Sequence, residues 1–305
     1  MSVRQSGQRG MFMLKIKWFR GQWLHITFSR VLLYLVMLAL VAFTALPLVY
    51  LVSTAFKPMD ELFLYPPEFI VKHPTTTNFS DLVVSLGSST VPFLRYAFNS
   101  VVVTAAIVTL TVMVSALGAY SLVKFKPPGG QFIFNLILMA LMFSGHVTRI
   151  PSYLVVNALG LINTYGALIL PGIAVAYNIF LMKQFIEQYP DELLEAARID
   201  GAGEFRIFIQ MVMPALKPAW ATLVVMSFVS NWNDYFSPLI YVTSQAMKTL
   251  PLALQTISGG AAAVSVGRAG ATAAATFIMT IPTVIIFTAM QGQVMETMVY
   301  SGIKE

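Results

Sequence analysis

The residue types able to do chemistry are scattered along this chain rather than grouped. Its three histidines, His25, His73 and His146, stand far apart and cysteine is absent. Disulfides, thiolate catalysis and cysteine-ligated metals are therefore excluded, and the histidine spacing points to no metal site. No HExxH, GxSxG or GxxxxGK(S/T) pattern occurs, and Gly201-Ala202-Gly203 lacks the lysine of a phosphate loop, so no acid–base centre or ATP-hydrolysing site is legible. What remains is a recognition group. Trp232, Asn233, Asp234 and Tyr235 lie together inside an otherwise apolar run. A carboxylate there is costly and faces a bundle interior or a water-filled cavity. Rings beside amide and carboxylate groups suit sugars, whose C–H faces stack while their hydroxyls need partners. These four residues are the candidate solute path. The alternative is that Trp232 anchors at the membrane interface and Asp234 satisfies a neighbouring helix.

The elements that position this group are membrane helices. Hydrophobic residues make up 57% of the 305 and charged residues 10%, too apolar a balance for a water-soluble domain. A spanning helix needs about 20 apolar residues. Residues 31–56, 96–123, 127–148, 150–182 and 269–295 are free of Asp, Glu, Lys and Arg, and 218–240 is interrupted only by Asp234. The reading is all-α with six transmembrane helices, the first kinked by Pro47 and carrying no signal-peptide cleavage site. The net charge of +6 does not indicate nucleic acid, because its basic residues cluster at the ends of spans. Six of them (Arg4, Arg9, Lys15, Lys17, Arg20 and Arg30) precede the first span with no acid among them. Placing the N-terminus inside leaves thirteen Lys and Arg on the inner side and six on the outer, so both termini are expected in the cytoplasm. The divisions that follow are a basic segment 1–30, a first span 31–56, an external loop 57–95, a five-helix core 96–295 and a tail 296–305.

One inner segment, 183–217, is far longer than an ordinary turn and holds six acids among its charges. Pro190 and Asp191 open a helix there, with Asp191 as its cap and Glu192 at the positive end of the dipole. Leu193, Leu194, Ala196 and Ala197 supply its apolar side, and Gly201 ends it in the left-handed cap. A second helix from Glu204 carries Phe205, Phe208, Ile209 and Val212 at helical spacing, predicting one apolar face. Pro214 and Pro218 close it.

Here the sequence resembles a known family. Glu195-Ala196-Ala197, Asp200-Gly201 and Pro214, with Gly201 six residues after the glutamate and Pro214 thirteen further on, match the EAA loop of type I, binding-protein-dependent ABC importer permeases. Met211 and Met213 replace the family's usual Ile and Leu and keep the apolar bulk. Arg149-Ile150-Pro151, Leu159-Gly160-Leu161, Ala167-Leu168-Ile169-Leu170-Pro171 and Trp232-Asn233-Asp234 with Pro238-Leu239 are similar to the maltose and oligosaccharide branch. The resemblance implies a multi-pass protein of a bacterial cell membrane that forms half of a path for a sugar. It implies that 187–217 couples to the ATPase, with Glu195 facing a basic partner, Ala196 and Ala197 allowing close approach, and Gly201 setting the bend. The implied partners are a second, different permease subunit, two ATPase subunits that use ATP and Mg, and an external solute-binding protein; this chain would bind no cofactor. The Gly/Ala/Ser-rich loop 258–270 is either a flexible connector or, by resemblance, a contact for the binding protein. A non-sugar solute and an ion-coupled secondary transporter are the competing readings. The secondary transporter would need a repeat and midplane carboxylates, whereas only Asp234 and Glu296 are candidates.

Overall fold

The computed structural model describes residues 14–17, 23–26, 28–87, 91–258 and 268–302. Most of the basic segment 1–30, nearly all of loop 258–270 and the last three residues lie outside the described residues.

A two-stranded antiparallel ribbon, β1 (Leu14–Lys17) with β2 (Trp23–Ile26), pairs Leu14 with Ile26 and Lys17 with Trp23. Apart from this ribbon the described elements are helical, as the all-α reading expected. α1 (Phe28–Ala55) continues through Pro47 and buries only Ser53 and Ala55. α2 (Met59–Leu62) and α3 (Thr77–Gly87) fold the segment after it. That segment is pinned by Glu61, which accepts the backbone N–H groups of Lys72 at 3.0 Å and His73 at 2.9 Å.

α4 (Phe93–Tyr120), extended by a wider π turn over Ser121–Phe125, is the central helix, packed against α7, α8 and α12. Its buried residues recur every three or four positions, from Tyr96 through Val103, Ile107 and Ser115 to Tyr120, with small residues where neighbours approach closely. α5 (Gly130–Leu141), α6 (Gly145–Ala158), α7 (Tyr165–Ile173) and α8 (Ala176–Glu187) follow. Then come α9 (Asp191–Ile199), α10 (Glu204–Ile207), a π turn over Phe208–Val212, α11 (Met213–Ala215) and α12 (Lys217–Trp232). α13 (Phe236–Tyr241), α14 (Leu250–Ser258) and α15 (Ala269–Gly302) complete the chain.

The expectation of six plain spans needs correction. Among the described residues three helices are long and apolar enough to cross a bilayer: α1, α4 with its π turn, and α15 as far as Glu296. In place of the expected spans 127–148, 150–182 and 218–240 stand bent pairs with other bounds: α5 with α6 at 115°, α7 with α8 at 44°, and Glu204–Ala215 with α12 at 78°. Counting each pair as one span gives up to six. The run 218–240 is not one helix either, because α12 stops at Trp232 and α13 starts at Phe236. The cause is local. Asp234 Oδ1 accepts the N–H groups of Phe236 at 2.9 Å and Ser237 at 3.1 Å, a turn that competes with helical bonding, and Pro238 has no N–H to continue the ladder.

Candidate functional site

Two regions carry the candidate residues, one at each end of α4. At the first, Pro190 precedes α9 in extended conformation, and Asp191 and Glu192 occupy the first turn with Arg198 in the last. Both placements favour the helix dipole. Asp191 does not cap the helix, as its sequence position suggested. Its carboxylate accepts from Lys124 Nζ at 2.7 Å, and the same ammonium donates to Tyr189 O at 2.7 Å. The Lys124 side chain is only 4% exposed, so it gives up water for these two acceptors. Its hydrogen bond and charge hold the Asp191 carboxyl below the ordinary carboxylate range.

Gly201 ends α9 with φ of +80°. Ala202 N–H bonds to Ala197 O at 2.9 Å and Gly201 N–H to Arg198 O at 3.0 Å, the paired reverse bonds of a Schellman cap. Glu204 then opens α10. Its carboxylate takes Arg198 Nε at 2.6 Å and Nη2 at 3.3 Å, and accepts the Tyr120 hydroxyl at 3.1 Å. That ion pair raises the Arg198 guanidinium above its usual range. Two polar ties, one at the start of each short helix, therefore fasten the loop to the end of α4. Spacing alone could not have found them, since Lys124 and Asp191 are 67 positions apart.

Leu194 and Ala197 point into the core with Ile207, Phe208 and Val212. Glu195, Ala196, Asp200, Gly201 and Pro214 are exposed. The single apolar face expected for the second helix is in fact split. Phe208 and Val212 are buried, but Phe205 and Ile209 are exposed, because Phe208 packs on Tyr120 and Val212 joins the same core while the other two face away from it. Phe205 is 71% exposed and Ile199 86%, so the outward face joins apolar side chains to the carboxylates of Glu195 and Asp200.

At the other end the four solute-path candidates divide. Trp232 is 5% exposed, stacks on Phe228 at 5.6 Å and donates its Nε1–H to Met279 O at 3.0 Å. It ties α12 to α15. Asp234 is half-buried and caps α13 rather than reaching a separate helix. Asn233 and Tyr235 are exposed, Asn233 bonding back to Val229 O at 2.8 Å. The Arg149 guanidinium sits 3.8 Å from the centroid of the Phe236 ring, a cation–π contact that puts α6 beside this turn. The turn's backing is polar and buried. Asn99 donates to Ala246 O and Lys248 O at 2.9 and 2.8 Å and accepts the Tyr165 hydroxyl at 2.7 Å. Ser100 Oγ accepts Leu250 N–H at 2.8 Å.

The described residues form a helical bundle with bent helix pairs and an exposed helix–glycine–helix loop. Residues 19–295 match the binding-protein-dependent transport system inner membrane component family, and the chain belongs to that family. It is a multi-pass membrane protein. Relatives include the arabinooligosaccharides transport system permease protein AraQ of Halalkalibacterium halodurans, 32% identical over 72% of this chain and 78% of that one. The lactose transport system permease protein LacG of Rhizobium radiobacter is 32% identical over 67% and 73%. The sn-glycerol-3-phosphate transport system permease protein UgpE of Yersinia enterocolitica is 40% identical over 54% and 58%. Among solved structures, a bacterial ABC transporter involved in the import of the acidic polysaccharide alginate aligns with a TM-score of 0.75. It is 21% identical, over 87% of this chain and 96% of that one, and the likeness shows the fold.

Proposed function

We propose that this chain is one permease subunit of an ATP-driven importer for a sugar, most simply an oligosaccharide, with both termini in the cytoplasm. The observation that carries the coupling role is the outward face of α9 and α10, where exposed Ile199 and Phe205 accompany Glu195 and Asp200 on a loop tied to α4 by Lys124 and Glu204. Such a face suits an apolar cleft with a basic rim on a cytoplasmic ATPase. ATP and Mg belong to that ATPase, so this chain contributes no chemistry of its own. Two ATPases closing would draw two such loops together, and each polar tie would carry the displacement into α4. The helices would then rock as bodies and turn the path from one side of the membrane to the other. A second, different permease completes the path, and an external binding protein delivers the solute.

The sugar assignment is supported by the relatives for arabinooligosaccharides and lactose and by the exposed Asn233 and Tyr235 at the turn. A phosphorylated polyol is the second reading. It is favoured by the relative for sn-glycerol-3-phosphate and by Arg149, which has no carboxylate within ion-pair distance among the described residues. Purification of the tagged chain in mild detergent tests the assignment. Co-elution of an ATPase and a second permease, with ATP-dependent sugar uptake after reconstitution, is expected. A chain that purifies alone and transports without ATP would be a secondary transporter instead.

A further inference from the structure

Thr249, just before α14, is 4% exposed, and its Oγ1 finds no hydrogen-bond partner among the described residues. A buried hydroxyl left in that state is costly. Thr249 lines a small cavity of about 20 Å³ together with Ser100, Thr104, Asn231, Asp234 and Ser237. The apolar wall is made by Val103, Ile107, Leu168 and Pro238. The polar groups come from four segments: α4, the end of α12 with its following turn, α13, and the residue just before α14.

Size and chemistry narrow what this cavity takes. One water needs roughly 10–15 Å³ of such space and two to four polar partners, so there is room for one molecule and no larger ligand. Hydroxyls both donate and accept. Ser100 Oγ accepts from Leu250 N–H and keeps its proton to donate. Asn231 Nδ2 is taken by Ser227 O at 2.7 Å, which leaves its Oδ1 as an acceptor. The only carboxylate, Asp234, already receives two backbone N–H groups, so no bare negative charge calls for a cation. We propose that a single ordered water binds here, bridging Thr249 Oγ1 to α4 and to the Asp234 turn. The water makes Thr249 a positioning residue. It fixes the turn that presents Asn233 and Tyr235 without touching whatever passes them, so the inference is independent of which solute is carried.

Thr249→Val keeps the shape and removes only the hydroxyl, so the sign of its effect separates the possibilities. The readout is thermal unfolding of the full chain, purified with the subunits that co-elute. If water binds, the substitution strips it of a partner and Tm falls, on the order of 2 °C for a chain of this size, while Thr249→Ser restores part of the loss. If the cavity is dry, removing an unpaired hydroxyl raises Tm or leaves it unchanged, and the proposal fails. Wild-type Tm measured in sodium and in choline chloride covers the remaining occupant. A sodium-specific rise that Asp234→Asn abolishes would mean an ion in place of water and would overturn the assignment. Should Thr249→Val not fold, a density map of the wild-type complex at a resolution that shows waters decides directly. One peak within hydrogen-bond distance of Thr249 Oγ1 supports the proposal, and none refutes it.

Discussion

The two ends of α4 are held by different physics. At the end that meets α9 and α10 the ties are charged: Lys124 on Asp191, and Arg198 with Tyr120 on Glu204. At the end that meets the 242–250 segment the buried ties are neutral amide and hydroxyl bonds, from Asn99 to two carbonyls and from Leu250 N–H to Ser100, with one exposed guanidinium bond from Arg95 Nε to Ala246 O beside them. Charge-assisted bonds are stronger singly but are screened by salt and titrate with acid. Neutral buried bonds do neither, and their cost appears only when one partner is removed. The same helix is thus tied adjustably where a partner subunit would push and fixedly where the turn of Asn233 and Tyr235 is presented.

Substitutions can separate the two ends, and the largest effect is expected at Gly201. Its φ of +80° is one that a β-branched residue cannot adopt without strain. Gly201→Val should abolish ATP-dependent uptake in reconstituted vesicles, while membrane insertion, measured by fractionation, stays normal. Uptake at the wild-type level would remove the loop from the coupling role. Next comes Asn99→Leu, which orphans the carbonyl of Lys248 and the Tyr165 hydroxyl and leaves Ala246 O with Arg95 alone. At roughly 1–3 kcal/mol for each group left unpaired, it should lower thermal stability clearly, by the same amount in low and high salt.

Lys124→Met should act more gently and on a different readout. Assembly and basal ATPase activity of the complex persist, but solute-stimulated ATPase and uptake fall together as the tie to α9 is lost. Equal loss of assembly would mean that Lys124 serves folding alone. Smallest is the effect of acid. The Asp191 carboxyl is held below its ordinary value by Lys124, so the stabilisation is fully present above that ordinary value, near pH 4. It is lost as pH falls further, through the depressed value. Hydrogen-exchange protection in 191–199, relative to the intrinsic rate at each pH, should therefore fall below about pH 4, and Lys124→Met should show that lower protection already at neutral pH.

What was legible in the sequence was local. Pro190 and Asp191 marked the start of α9 and Gly201 its end, because both signals act on the backbone within a turn. The runs without charge marked where the chain is apolar enough for a membrane. They say nothing of direction, which is why the 115° bend after α5 and the break at Asn233–Tyr235 went unread. The break had a visible cause in Asp234 and Pro238, masked by the apolar residues around it. The split between Phe205 and Phe208 depends on which side of the loop meets Tyr120, and periodicity along the chain does not contain that. The ties at Lys124, Tyr120 and Asn99 join residues 67, 84 and about 150 positions apart, and only tertiary packing brings them together. Trp232 stood out in the sequence as a candidate for the solute path or for an interfacial anchor; the bond of its indole to Met279 O, 47 positions on, could not be read there.

The claim at the centre of this account is that the α9–α10 face docks a cytoplasmic ATPase. The chain contains no cysteine, so Ile199→Cys provides a single thiol on the most exposed apolar position of that face. A cross-linker with a maleimide at one end and a photoreactive benzophenone at the other, attached to that thiol and illuminated in native membranes, should then yield one product, the size of this chain plus an ATPase subunit, with its yield altered by ATP. A thiol that reacts freely with a small maleimide yet never captures an ATPase, in membranes that still take up solute, would contradict the account.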